Sequence, residues 1–208
     1  MADENTEPKK LSRIQQRNRE LIMNAALDVF SQHGFRGATL DQIADASGLS
    51  KPNILYYFNG KEDIYVTLLN QMLASWLDPL TALDETGDPI GEILAYIDRK
   101  MEMTRLFPRE SRLFATEIIQ GGSRVMDHIA TDIKPLFDEK AAVIQGWSDS
   151  GRLAPIDAHQ LLTSIWSTTQ HYADFDAQLA VLLGPREQVL ENGKAYLNTL
   201  FEKALRPD

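Results

Sequence analysis

Between Thr39 and Lys61 the chain reads T-L-D-Q-I-A-D-A-S-G-L-S-K-P-N-I-L-Y-Y-F-N-G-K. Lys51, Asn53, Tyr56 and Tyr57 crowd into one short run, and Lys61 follows. Ammonium, amide and phenol groups of this kind bond phosphate oxygens and base edges. Two short helices separated by a tight turn would present them. Thr39 is placed to cap the first, with Leu40, Ile43 and Ala44 on one face. Gly48 supplies the left-handed stop and Leu49 turns back to the core. Ser50 caps the second helix, Pro52 sits in its first turn, and Asn59-Gly60 ends it. This is the helix-turn-helix pattern, whose second helix enters the DNA major groove. Two amphipathic helices around a glycine also occur in all-α proteins that bind no DNA. The crowding of polar groups on the second helix, Lys61, and the preceding His33-Gly34-Phe35-Arg36-Gly37 stop favour the DNA reading.

A second constellation lies in I-W-S-T-T-Q-H-Y-A-D-F, Ile165 to Phe175. On a helix, Leu162, Trp166, Thr169, Gln170 and Ala173 share one face, and Leu161, Ile165, Thr168, Tyr172 and Phe175 the other. A buried amide must be satisfied. Gln170 offers a donor beside an acceptor, which matches a planar cyclic amide or imide, and Trp166 offers a flat stacking surface. Gln170 bonded to another helix, with Trp166 simply packed, is the competing reading.

The elements that must position these groups are all helical. With 208 residues, 43% hydrophobic and 25% charged, the composition is that of an ordinary globular protein of one large or two small domains. Without cysteine, disulfides, thiolate zinc sites and Cys nucleophiles are excluded. No apolar run is long enough to span a membrane and the polar start does not read as a signal peptide, so the cytoplasm is the expected location. The net charge of −9 divides unevenly. Residues 9–61 hold eight Lys/Arg against four Asp/Glu, whereas residues 62–208 hold thirteen against twenty-three. A basic head on an acidic body would orient docking on DNA.

Residues 1–10 are polar, and the first dozen residues read as a flexible arm carrying both charges. Lys9, Lys10, Arg13, Arg17 and Arg19 either flank DNA or begin a solvated helix. A helix is expected from about Ile14 to Gln32, with Leu21, Ile22, Ala25, Ala26, Val29 and Phe30 buried. Another runs from Lys61 until Pro79 breaks it. Lys61 to Trp76 is roughly 22 Å at about 1.5 Å per residue, a rod joining the DNA-facing part to the next domain. Asp88-Pro89 starts a helix to about Leu106. Pro108 opens another, closed by Gly121-Gly122. Ser123 to Ser150 is interrupted at Pro135, Asp157 starts a helix to about Phe175, and Gly184-Pro185 introduces the last, ending near Leu205. No period-2 strand pattern and no repeat is present.

Taken in order, G-F-x-G-x-T-x-x-x-I-A-x-x-x-G-x-S-x-x-x-x-x-Y-Y-F-x-x-K resembles the signature of the TetR family of transcriptional regulators. The resemblance implies an all-α fold in two parts. Residues 1–60 would form a three-helix DNA-binding domain with a helix-turn-helix, and residues 61–208 a helical effector-binding and dimerisation domain. It implies a homodimer, paired through the last two long helices, on a palindromic double-stranded operator. Thr39, Tyr57 and Lys61 would lie on phosphates, with Lys51 and Asn53 nearest the bases. Leu55 stands where many members have a contacting Tyr, so base contacts differ there and Tyr56 either compensates or faces elsewhere.

The runs F-S-Q-x-G-F-x-G, S-K-x-N-x-L-Y-Y-F, W-L-x-P-L, D-E-K-x-A-x-I-x-G-W and W-x-x-T-Q-H-Y-A-D-F are similar to the family's pyrimidine-utilisation regulators. Those bind uracil or thymine and then release DNA. By that likeness Trp76 and Trp166 would wall a pocket, and Gln170 with Thr169 would read the pyrimidine edge. Phe114 and Tyr96 join them on helix facing alone. No cofactor and no metal is expected. An effector that is drug-like or lipid remains the alternative within the family. An enzyme is the rival class, but the chain has no phosphate-cradling Gly loop, no nucleophile elbow and only four scattered histidines, His33, His128, His159 and His171.

Overall fold

The structure, a computed structural model, describes residues 12–207. The expected arm, with Lys9 and Lys10, falls outside these residues except for Ser12. The described residues form helices and turns without strands, in two compact units that meet in sequence at Leu68 and Leu69.

The first unit holds α1 (Arg13–Gly37), α2 (Leu40–Ser47), α3 (Lys51–Tyr57) and the start of α4 (Lys61–Thr81). Ser12 and Gln15 close a capping box at the head of α1. The helical path is broken at Gly34, whose φ of 65° lies in the left-handed region, so the stop expected there is a kink followed by one more turn. Ile22, Ala26, Phe30, Ile43, Ile54, Phe58, Ile64 and Tyr65 are fully buried around it. Phe35 closes this core against Phe30 and Tyr65, with ring centroids 6.3 Å and 4.9 Å away.

The second unit contains the rest of α4 with α5 (Pro89–Leu106), α6 (Pro108–Ile119), a single turn α7 (Met126–His128), α8 (Lys134–Asp149), α9 (Ala158–Asp174), α10 (Asp176–Leu183) and α11 (Arg186–Leu205). α5 packs against both α9 and α11. Ile93, Ile97, Ile144, Leu162, Ile165 and Leu205 are completely shielded there.

Three boundaries differ from the sequence expectation. Pro79 does not end α4, which continues to Thr81. The ring removes one ladder bond, but the burial of Leu80 and Leu83 holds the last turn in place, and the Arg99 guanidinium donates to the Pro79 carbonyl at 3.3 Å. The helix expected from Ser123 begins only at Met126 and passes through a π-helical turn, Ile129–Ile133, before α8. Pro135 has no N–H for the carbonyl four residues back, and the ladder before it widens, with Lys134 N–H bonding the Ile129 carbonyl. Finally, α10 was not anticipated. The chain leaves helical geometry at Phe175 and re-enters it at once.

Candidate functional site

In the first unit, Thr39 Oγ1 accepts from Gln42 N–H at 3.2 Å while Gln42 Oε1 accepts from Thr39 N–H at 2.8 Å. Gly48, with φ of 68°, ends α2, and Leu49 N–H returns to the Ala44 carbonyl at 3.2 Å. Ser50 Oγ then accepts from Asn53 N–H, and α3 follows with Pro52 in its first turn. Ile54 and the cap residue Phe58 face inward, so Lys51, Pro52, Leu55 and Tyr56 face solvent. Asn53 and Tyr57 lie at the edge of that face, half-buried. Three of these polar side chains are held by a light contact. Lys51 pairs with Asp41 at 3.1 Å, the Tyr56 hydroxyl accepts from Gln15 Nε2 at 3.1 Å, and the Tyr57 hydroxyl accepts from Asn18 Nδ2 at 3.2 Å. Lys61 is different. Its ammonium donates to the Phe35 and Ala38 carbonyls at 2.7 and 2.8 Å and lies 4.6 Å from the Phe35 ring centre. Two of its three N–H donors thus close the turn between α1 and α2.

In the second unit a cavity of about 210 Å³ is walled by Trp76, Phe114, Trp166 and the aliphatic side chains Leu73, Leu77, Ile118, Ile129 and Ile133. Its polar groups are Lys100 and Gln170. Trp76 meets Phe114 edge to face, with centroids 5.1 Å apart, and Trp166 leans on Phe137 at 5.0 Å. Trp166 is held further by its indole N–H, which donates to the Tyr96 hydroxyl at 2.5 Å. Neither the Gln170 amide nor the Lys100 ammonium makes a hydrogen bond to a described residue. Burial pushes the Lys100 ammonium down to about 8, opposed by the carboxylate of Asp174. Asp174 in turn is pushed up by burial, although it accepts from Ser111 Oγ at 2.6 Å. The site is small, flat-walled and apolar, with one donor–acceptor pair and one cation. It falls below the roughly 300–1,000 Å³ typical of sites for drug-sized molecules.

Residues 22–68 match the family described as bacterial regulatory proteins of the tetR family, and residues 69–207 match the YcdC-like protein C-terminal region. The chain belongs to the TetR family of transcriptional regulators. It is 46% identical over 185 residues to the HTH-type transcriptional regulator RutR of Escherichia coli K12, covering 88% of this chain and 87% of that one. It is 34% identical over 140 residues to the HTH-type transcriptional repressor NicS of Pseudomonas putida, covering 65% and 64%. Among solved structures it resembles the transcriptional regulator SCO4942 of Streptomyces coelicolor (TM-score 0.69, 22% identity, 92% of this chain and 99% of that one). It also resembles the ketosteroid regulator KstR2 of Mycobacterium tuberculosis (TM-score 0.68, 18% identity, 91% and 95%). At those identities the two structures speak for the fold. TetR-family proteins are DNA-binding regulators rather than enzymes, and this chain shares both parts of their architecture.

Within this TetR-family chain, the structure gathers Trp76, Phe114, Trp166 and Gln170 around one cavity. It does not place Tyr96 or Thr169 there. Tyr96 stands behind Trp166, 1% exposed, and orients its ring. Thr169 is fully buried, its hydroxyl donating to the Ile165 carbonyl at 2.7 Å and its own carbonyl accepting from Thr104. Lys100 is the cavity residue that the sequence reading missed. Helix periodicity marks position 100 as inward, beside Ile97 and Met101, but a lysine there reads as solvated until the neighbouring helices are in place. Among the described residues no helix is long and apolar enough to cross a membrane.

Proposed function

We propose that this regulator is mainly a repressor of pyrimidine-metabolism genes, released from its operator by uracil or thymine. The observation that carries the reading is the Gln170 amide, with donor and acceptor both uncommitted, lining a small cavity that Trp76 and Trp166 also line. A cyclic imide supplies the complementary C=O and N–H edge and a flat ring to stack. The 46% identity to RutR supports it. The regulator acts as a cytoplasmic homodimer on a palindromic duplex operator, with Lys51, Asn53 and Tyr56 of α3 toward the bases and Thr39, Ser50, Tyr57 and Lys61 toward the backbone. The division of labour follows residues 1–60 for DNA and 61–208 for effector and dimer contacts. α4 is one unbroken helix that carries Lys61 at its start and Trp76 near its end, which makes it the natural route from effector to DNA grip. The effector weakens that grip only by as much as it prefers the DNA-incompetent form.

An operator gel shift with and without uracil tests the reading, with loss of the shifted band on uracil addition as the expected result. Gln170→Ala should abolish that loss while the band without uracil persists. Isothermal titration showing unchanged uracil affinity in Gln170→Ala would remove Gln170 from the site.

A further inference from the structure

Lys100 sits in α5, 6% exposed, with its ammonium 5.8 Å from the centre of the Trp76 ring. It lines the 210 Å³ cavity together with Trp76 and Gln170. The same three residues also border a second, water-sized void of about 10 Å³, whose far side is Met103, Thr104, Phe107 and Ser111. Lysine can only donate, and a buried ammonium without an acceptor is costly. Whatever fills the cavity must therefore bring an oxygen acceptor to Lys100. Gln170, by contrast, presents one donor and one acceptor.

We propose that Lys100 is the specificity-determining residue of the effector cavity: it donates to a second carbonyl of the ring whose first carbonyl and N–H pair with Gln170. The inference rests on the effector reading above and narrows it. An edge that runs acceptor, donor, acceptor is that of a cyclic imide. A ring lacking one carbonyl leaves Lys100 without an acceptor, and an exocyclic amine in its place turns a donor toward a cation. The cavity thus separates uracil and thymine from rings of equal size and flatness by one oxygen atom. That discrimination is steep because the group left unpaired is charged and buried.

Isothermal titration of the full chain with uracil, 4(3H)-pyrimidinone (one carbonyl fewer) and cytosine tests this. The wild type should bind uracil roughly tenfold or more tightly than either of the others. Lys100→Met should bring uracil down to the level of 4(3H)-pyrimidinone, and Lys100→Gln, which keeps a donor, should recover part of the difference. Far-UV circular dichroism establishes that each variant is folded. Equal wild-type affinity for uracil and 4(3H)-pyrimidinone overturns the proposal. So does undiminished uracil binding in Lys100→Met, which would leave the effector reading standing. A wild type that ignores uracil altogether overturns both.

Discussion

Lys100 has a consequence for stability that is separate from ligand choice. Its ammonium is pushed down to about 8 from an ordinary value of 10.5, first by burial, with Asp174 opposing. The unfolded chain therefore holds more protons than the folded one between about pH 8 and 10.5, and stability should rise with pH through that window. Below about pH 8 the burden is constant. Lys100→Met should be more stable at pH 7, by a gain on the order of 3 kcal/mol that already includes the opposing attraction to Asp174. The gain should fade by pH 10. Urea unfolding of both proteins at pH 7 and pH 10 checks it, and equal midpoints at both pH values would show that the ammonium finds an acceptor in the folded chain. Lys51 behaves differently: it forms a solvent-exposed pair with Asp41 at 3.1 Å, worth little by itself.

At the scale of elements, the turn between α2 and α3 sets how the α3 side chains are presented. Gly48 adopts φ of 68°, where a side chain is disfavoured by roughly 1–2 kcal/mol although a Cβ there would meet no atom within 4 Å. Gly48→Ala should accordingly lower stability by about 1 kcal/mol through backbone strain alone, seen as a lower urea midpoint with unchanged slope. A second constraint is steric. A Cβ on Gly193 of α11 would come within 2.5 Å of the Tyr172 ring of α9. Gly193→Ala should push the half-buried Tyr172 ring aside rather than part the helices, and so cost no more than Gly48→Ala, a ranking that the same urea experiment reads directly. Two of the cavity walls, Ile129 and Ile133, come from the π-helical turn before Pro135.

For the whole molecule, the exposed apolar residues bear on assembly. Val181, Leu182 and Leu183 of α10 are 86%, 67% and 62% exposed, and Tyr196 and Leu200 of α11 are also open. Side chains of that size in one stretch of surface are those a second copy would cover. A helix-turn-helix of this size reads few bases, so operator binding should depend on the pair. Leu182→Glu should shift sedimentation equilibrium toward monomer and weaken operator binding at least tenfold, with far-UV helicity retained. An unchanged dimer would remove α10 from the interface. The uneven charge, basic over residues 9–61 and acidic over residues 62–208, predicts strongly salt-dependent operator affinity.

Much of this was legible in the chain itself, for a physical reason. Caps, glycine stops and apolar periodicity act within a few residues, so Thr39, Gly48, Ser50 and Asp88 mark their helix ends without help from the rest of the fold. Trp76, Trp166 and Gln170 stand out because a large flat ring and an amide are uncommon partners on inward faces. Other features depended on contacts between segments far apart in sequence. Packing carries α4 past Pro79 because Leu80 and Leu83 are buried, and it turns Thr169 and Tyr96 away from the cavity they were expected to line. It also takes Lys100 out of water beside Trp76 and Gln170. Local residue chemistry determined the elements and the helix-turn-helix, whereas the cavity's polarity was decided only when helices distant in sequence enclosed a lysine whose charge, on an inward position, reads as solvated.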